Sequence, residues 1–134
     1  MQVILVGNAR SGRFVESRIL DMVQAVGTPQ TYEPGEKVFI EGTPGTTMYV
    51  VLDGNIEINV GGKSMEVAGR GAIIGEMSLI DSSTRSATVV AKDYCVLAQV
   101  NRSQFLSLMQ KTPLFGLSVM KTLVTRLRNV DAMV

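Results

Sequence analysis

Residues 48–62 read Met48-Tyr49-Val50-Val51-Leu52-Asp53-Gly54-Asn55-Ile56-Glu57-Ile58-Asn59-Val60-Gly61-Gly62. A strongly apolar run and an alternating run are each closed by a two-residue turn signal. Asp53-Gly54, between 48–52 and 56–60, predicts a hairpin, because a type I′ turn needs positive φ at both central positions. Gly61-Gly62 predicts a second hairpin, leading to a strand over 64–67. The same punctuation continues outward on the N-terminal side at Pro34-Gly35, Gly42 and Pro44-Gly45. About eight short strands joined in this way over 28–101 predict a mainly β fold with flanking helices, its centre an eight-stranded β-roll or jelly roll.

On either side the period is helical. From Ser11, the residues Phe14, Ile19 or Leu20, Met22, Val23 and Val26 recur near every 3.6 positions, and Gly27 supplies a stop. Residues 1–10 are uninformative and read as a strand-like or frayed leader. After the strands, Asn101 or Ser103 can cap a helix through Gln110. Thr112-Pro113 restarts the helix, with proline at its first position, and it runs to about Val130. Lys121, Arg126 and Arg128 fall towards its C-terminal end, where cations favour the helix dipole. Met120, Leu123, Leu127, Val130 and Val134 form one apolar stripe. Packing on the chain's own strands is the first reading of that stripe; a homodimer seam or a partner protein's docking face is the second. The chain reads as one domain, 1–134, with the roll at about 28–101 and the C-terminal helices at about 102–130.

Composition excludes several function classes. Among 134 residues, 13 Lys plus Arg against 12 Asp plus Glu leave a net charge of +1, so nothing marks a nucleic-acid surface or a polybasic membrane anchor. There is no histidine, which removes most zinc, iron and copper sites and the usual general base. No nucleophile-and-base pair stands out, so neither a catalytic residue nor a metal site nor a cofactor is expected. The single Cys95 lies in an apolar run and reads as a buried strand thiol, compatible with a cytoplasmic protein. The apolar run at 3–6 is far too short to span a bilayer, so no membrane segment and no signal peptide are expected.

Chemistry concentrates at 71–91, Gly-Ala-Ile-Ile-Gly-Glu-Met-Ser-Leu-Ile-Asp-Ser-Ser-Thr-Arg-Ser-Ala-Thr-Val-Val-Ala. Gly75 lets a ligand or another backbone approach closely. Glu76 to Ile80 has the length of one helical turn, whose first N–H groups have no intrahelical partner. Arg85 offers a forked, permanently charged donor suited to phosphate, while ionised Glu76 can only accept, as from sugar hydroxyls. Two readings stand side by side: a plain surface Glu76–Arg85 ion pair, or a site for a ligand carrying both a hydroxyl and a negative charge.

Gly75-Glu76-Met77-Ser78-Leu79 followed by Arg85-Ser86-Ala87-Thr88 resembles the phosphate-binding cassette of the cyclic nucleotide-binding domain family, found in catabolite activator proteins, cyclic-nucleotide-gated channels and the regulatory subunits of cAMP-dependent kinases. Pro34-Gly35-Glu36, Glu41-Gly42 and the run from Met48 to Ile56 fit the same pattern, and the likeness covers about 12–130. It implies an eight-stranded roll with one helix before it and two after. It further implies that Glu76 binds the ribose 2′-hydroxyl, that Arg85 pairs with the cyclic phosphate, and that backbone around Gly75, Met77, Ser78, Ser86 and Ala87 completes the cradle. The last helix would be a lid over the purine, with Leu123, Val124, Arg126 and Leu127 as candidates. Ser78 stands where alanine is commonest, and Thr84 where proline often precedes the arginine; neither removes a required charge.

The function implied is a regulatory sensor for a cyclic nucleotide, with Ser86 leaning towards cAMP over cGMP. The alternative is a β-roll interaction domain of a larger regulator with weak or no nucleotide binding. A DNA-reading factor would need a helix-turn-helix after the last helix, so no direct DNA contact is expected. A cupin-like enzyme would need metal-binding histidines.

Overall fold

The structure is a computed structural model that describes residues 17–133. The leader at 1–10, the predicted start of the first helix at 11–16, and Val134 lie outside the described residues. The elements are α1 (Ser17–Val26), β1 (Thr28–Tyr32), β2 (Lys37–Phe39), β3 (Met48–Asp53), β4 (Ile56–Val60), β5 (Lys63–Ala68), β6 (Ile73–Ile74), α2 (Glu76–Asp81), β7 (Thr88–Ala91), β8 (Cys95–Val100), α3 (Arg102–Lys111) and α4 (Pro113–Met133). The strands form two antiparallel four-stranded sheets, ordered β1-β8-β3-β6 and β2-β7-β4-β5. This is the expected mainly β roll with flanking helices.

The run at 48–52 is apolar without a break because β3 is buried on both faces. Met48, Val50 and Leu52 face a core shared with Ile19, Leu20 and Val23 of α1, Leu108 of α3, and Phe115 and Val119 of α4. Tyr49 and Val51 face the roll interior with Ile56, Ala68, Ile74, Val89 and Leu97. One strand thus holds the helices to one side and the second sheet to the other. Cys95 is buried in this interior, as read from the sequence, and its Sγ lies 3.0 Å from the Asn55 carbonyl oxygen.

The two turn signals part company. Gly61 and Gly62 both take positive φ, 60° and 80°, and Val60 faces Lys63 across a two-residue hairpin. The Asp53-Gly54 hairpin does not form: β3 pairs with β8 and β6, whereas β4 pairs with β5 and β7. Gly54 has φ of 83° but Asp53 is not in the left-handed region, so the chain steps from one sheet to the other. The step is held by the turn between β7 and β8, which crosses back. Asp93 Oδ1 accepts from the Asn55 N–H at 2.7 Å, its Oδ2 accepts from Asn55 Nδ2 at 3.0 Å, and Lys92 N–H donates to the Asn55 carbonyl. A Cβ on Gly54 would lie 2.3 Å from the Tyr94 carbonyl oxygen, so glycine serves close approach as well as φ.

The C-terminal helices follow the sequence in outline. Asn101 caps α3 through a reciprocal box with Gln104, which satisfies two end groups at once. α4 continues past Val130 to Met133, so Lys121 and Arg128 do not occupy its last turn. The expected stripe coincides with the packing face only at Leu123. Phe115, Val119, Thr122 and Leu123 turn inward, while Met120 and Leu127 are exposed. The Val130 side chain lies outside the described residues.

Candidate functional site

α2 begins where the chain must turn sharply. Gly75 stands at its N-cap with φ of 78°, and Ser82 ends it in the left-handed region with its N–H on the Ser78 carbonyl. A Cβ at Gly75 would meet Arg85 Nη1 at 2.6 Å, the Thr47 carbonyl oxygen at 3.1 Å and the Phe39 ring at 3.2 Å. Glycine is therefore required both by φ and by the arginine behind it.

Glu76 and Arg85 are 0% and 5% exposed, so a surface ion pair is not what the structure contains. Arg85 is clamped by the loop between β2 and β3 at both backbone and side chain. Gly42 N–H donates to the Arg85 carbonyl at 2.8 Å, and Arg85 N–H donates to the Thr43 carbonyl at 2.9 Å. Nη1 donates to the Thr47 carbonyl at 2.7 Å and to the Gly75 carbonyl at 3.3 Å, and Nη2 donates to Thr47 Oγ1 at 3.2 Å. The guanidinium stacks on the Phe39 ring, 4.2 Å from its centroid, within cation–π range. On another side Gly45 leaves room: a Cβ there would lie 2.2 Å from Arg85 Nε. Burial pulls the Arg85 pKa below its usual value, while nearby Tyr49 and Glu76 oppose that shift. The cation is thus held in place by the protein's own groups.

Beside this pair lies a cavity of about 540 Å³, within the range of small-molecule sites. Gly75, Met77, Ser78, Ser86 and Ala87 form one wall, Leu123 and Leu127 of α4 another, and Ile58, Val60, Met65 and Glu66 of the β4–β5 hairpin a third. Among the described residues, Glu76 and Arg85 are not part of the wall, although Phe39 and Gly75, which Arg85 touches, are. Val124 is exposed and does not line the cavity. The Arg126 side chain lies outside the described residues. The structure therefore gathers Gly75, Met77, Ser78, Ser86, Ala87, Leu123 and Leu127 around one space, with Glu76 and Arg85 buried near it. Sequence reading missed Phe39, Gly45 and Thr47, which hold Arg85, because nothing local marks a loop some forty positions away as its partner. Glu66 had a readable signal, a charged residue at an inward position of a strand.

Residues 29–112 match the family model for the cyclic nucleotide-binding domain. The chain belongs to the cyclic nucleotide-binding domain family. It is 31% identical over 117 residues to the cyclic AMP receptor protein of Thermus thermophilus, a match covering 84% of this chain and 54% of that one. The crystal structure of the Thermus thermophilus catabolite activator protein is similar with a TM-score of 0.76 and 29% identity, over 87% of this chain and 57% of the other. A cGMP-dependent protein kinase of Toxoplasma gondii is 27% identical over 73 residues, 54% of this chain and 7% of the kinase. The chain spans about half the length of the Thermus relative. Among the described residues no group of three or more acidic, cysteine or histidine side chains could hold a metal ion, and no helix is long and apolar enough to cross a membrane.

Proposed function

We propose that this chain is a single cytoplasmic sensor domain that binds a cyclic nucleotide, cAMP in preference to cGMP, without catalysing a reaction or requiring a cofactor. The observation that carries this reading is the buried, pre-positioned Arg85 guanidinium next to a mostly apolar cavity bordered by the cassette. Arg85 pairs with the cyclic phosphate, and backbone groups of Gly75, Met77, Ser78, Ser86 and Ala87 complete its cradle. Glu76 accepts from the ribose 2′-hydroxyl. Leu123 and Leu127 cover the purine, and Ser86 donates to it; Val124 and Arg126 take part in closing the lid without a defined contact. Binding regulates by favouring one arrangement of α4 over another, to the extent that the ligand contacts α4 in one and not the other.

Leu117, Met120, Val124 and Leu127 recur at three- and four-residue steps along α4 and are all exposed. That stripe supports association of α4 with a second copy or a partner protein, and direct DNA or membrane contact is not part of this reading.

Titration calorimetry with cAMP and cGMP, on the wild type and on Arg85→Ala, tests the proposal. The wild type is expected to bind at micromolar or lower concentration, and Arg85→Ala to lose about 2–5 kcal/mol, because a desolvated anion loses its charged partner. Absence of binding to the wild type at high micromolar ligand would defeat the sensor reading, and unchanged affinity in Arg85→Ala would defeat the phosphate role.

A further inference from the structure

The β4–β5 hairpin outruns its neighbour in the sheet. β4 pairs with β7 as far as Asn59, opposite Thr88, the first residue of β7. Val60 and the Gly61-Gly62 turn therefore project past that neighbour. The hairpin's own ladder is interrupted just below the turn: Ile58 faces Glu66 and Asn59 faces Ser64, so Met65 is an extra residue in a bulge. Val60 and Met65, on the two arms of this tip, both line the cavity. A wall of the site thus stands on an interrupted part of the ladder.

Glu41, from the loop between β2 and β3, meets that tip. Its Oε1 accepts at 3.0 Å from the Gly61 N–H, which belongs to the peptide joining Val60 to the turn. The carboxylate is carried on a turn that is itself fixed. Thr43 N–H donates to the Ile40 carbonyl at 3.1 Å, with Gly42 at φ of 83° between them, so Glu41 occupies the corner. The Glu41 N–H donates to Thr88 Oγ1 at 2.9 Å, and the next N–H, of Gly42, to the Arg85 carbonyl at 2.8 Å. One turn therefore holds Arg85 through its backbone and the hairpin through its corner side chain.

We propose that Glu41 is a positioning residue for the base: by pinning the peptide between Val60 and Gly61, it fixes the hairpin wall relative to Arg85. The inference rests on the cyclic nucleotide reading above and adds what keeps the two ends of that ligand's site in register. Phosphate and base are joined through one ribose, so each contact aids the other only when the two surfaces stand at the matching separation. Arg85 is clamped, and the hairpin tip is tied to it through residues 41 and 42. Loss of the Glu41 carboxylate leaves the backbone clamp on Arg85 in place and frees the tip alone.

The test compares wild type, Glu41→Ala and Glu41→Gln in two measurements. Amide hydrogen exchange followed by NMR reads the Gly61 N–H with no ligand added. Calorimetry, by displacement where binding is weak, reads cAMP and 1-deoxyribose 3′,5′-cyclic phosphate, which keeps sugar and phosphate and lacks the base. Glu41→Ala should speed Gly61 exchange and weaken cAMP binding by about three- to tenfold, the scale of one hydrogen bond. It should leave the affinity for the base-free ligand unchanged, which general damage to the cassette would not do. Glu41→Gln, whose amide oxygen can still accept, should restore both properties towards wild type. Unchanged cAMP affinity in Glu41→Ala, an equal loss for both ligands, or Gly61 exchange indifferent to residue 41 would each overturn the proposal and leave nucleotide binding standing. A wild type that binds neither ligand overturns this inference together with the reading beneath it.

Discussion

Arg85, behind the cassette wall of the ligand-sized cavity, and Leu127, in its α4 wall, are held in opposite ways. Arg85 is 5% exposed and gives three hydrogen bonds to Thr47 and Gly75, with an aromatic ring against one face. Leu127 is 63% exposed and stands near the end of a helix whose inward contacts come from earlier turns. The cassette side is built in advance, which reduces the reorganisation that binding an anion requires. The α4 side buries its root at Phe115 and Val119 and leaves its later apolar residues in water. A ligand that covers them gains area at little cost to the rest of the fold. The proposed sensing role needs both properties: one fixed contact to recognise and one adjustable element to respond.

Substitutions can break this contrast at either end. Phe115→Ala should act most strongly, since a fully buried aromatic ring anchors α4 on the helical core and packs edge-on to Phe105. A loss of about 3–5 kcal/mol in denaturant unfolding is expected. A small loss would mean that α4 is not rooted there. Gly45→Val should cost about 1–3 kcal/mol, because its side chain would enter the space of the Arg85 guanidinium. Ligand affinity should fall with it, which a change in the fold remote from the site would not produce. Asn101→Ala removes the α3 cap and should lower stability by about 1 kcal/mol. Cassette affinity should hardly change, because Asn101 is not part of the cavity wall. Leu127→Ser should be the mildest in unfolding, within about 0.5 kcal/mol, as for other exposed positions. Its effect should appear instead as several-fold weaker nucleotide binding in the same calorimetric experiment. Equal affinity in wild type and Leu127→Ser would remove Leu127 from the binding surface.

How much the sequence disclosed depends on whether the deciding interaction was local. Gly61-Gly62 was legible because both residues of a two-residue hairpin supply positive φ themselves. Asp53-Gly54 carried an equally good signal, yet the two flanking strands entered different sheets. What decided was the Asp93 carboxylate on the Asn55 N–H, from a turn some forty positions later. The same division runs through the site. Gly75, Glu76 and Arg85 stood out by type and order, whereas Thr47, Phe39 and Gly45 reach Arg85 only through the tertiary fold. The stripe on α4 held only at Leu123, for a related reason. Helical spacing identified an apolar line, but Met120 and Leu127 face water because the core lies against Phe115, Val119 and Thr122 instead.

A crystal structure of this chain with cAMP tests the central claim most directly. The expected result is the cyclic phosphate within hydrogen-bond distance of the Arg85 guanidinium and the Ser86 and Ala87 backbone. The 2′-hydroxyl should be on Glu76, and the purine between the β4–β5 hairpin and Leu123 with Leu127. Nucleotide found away from the cassette, or a phosphate that leaves Arg85 on Thr47 and Gly75 without contacting it, would contradict the assignment.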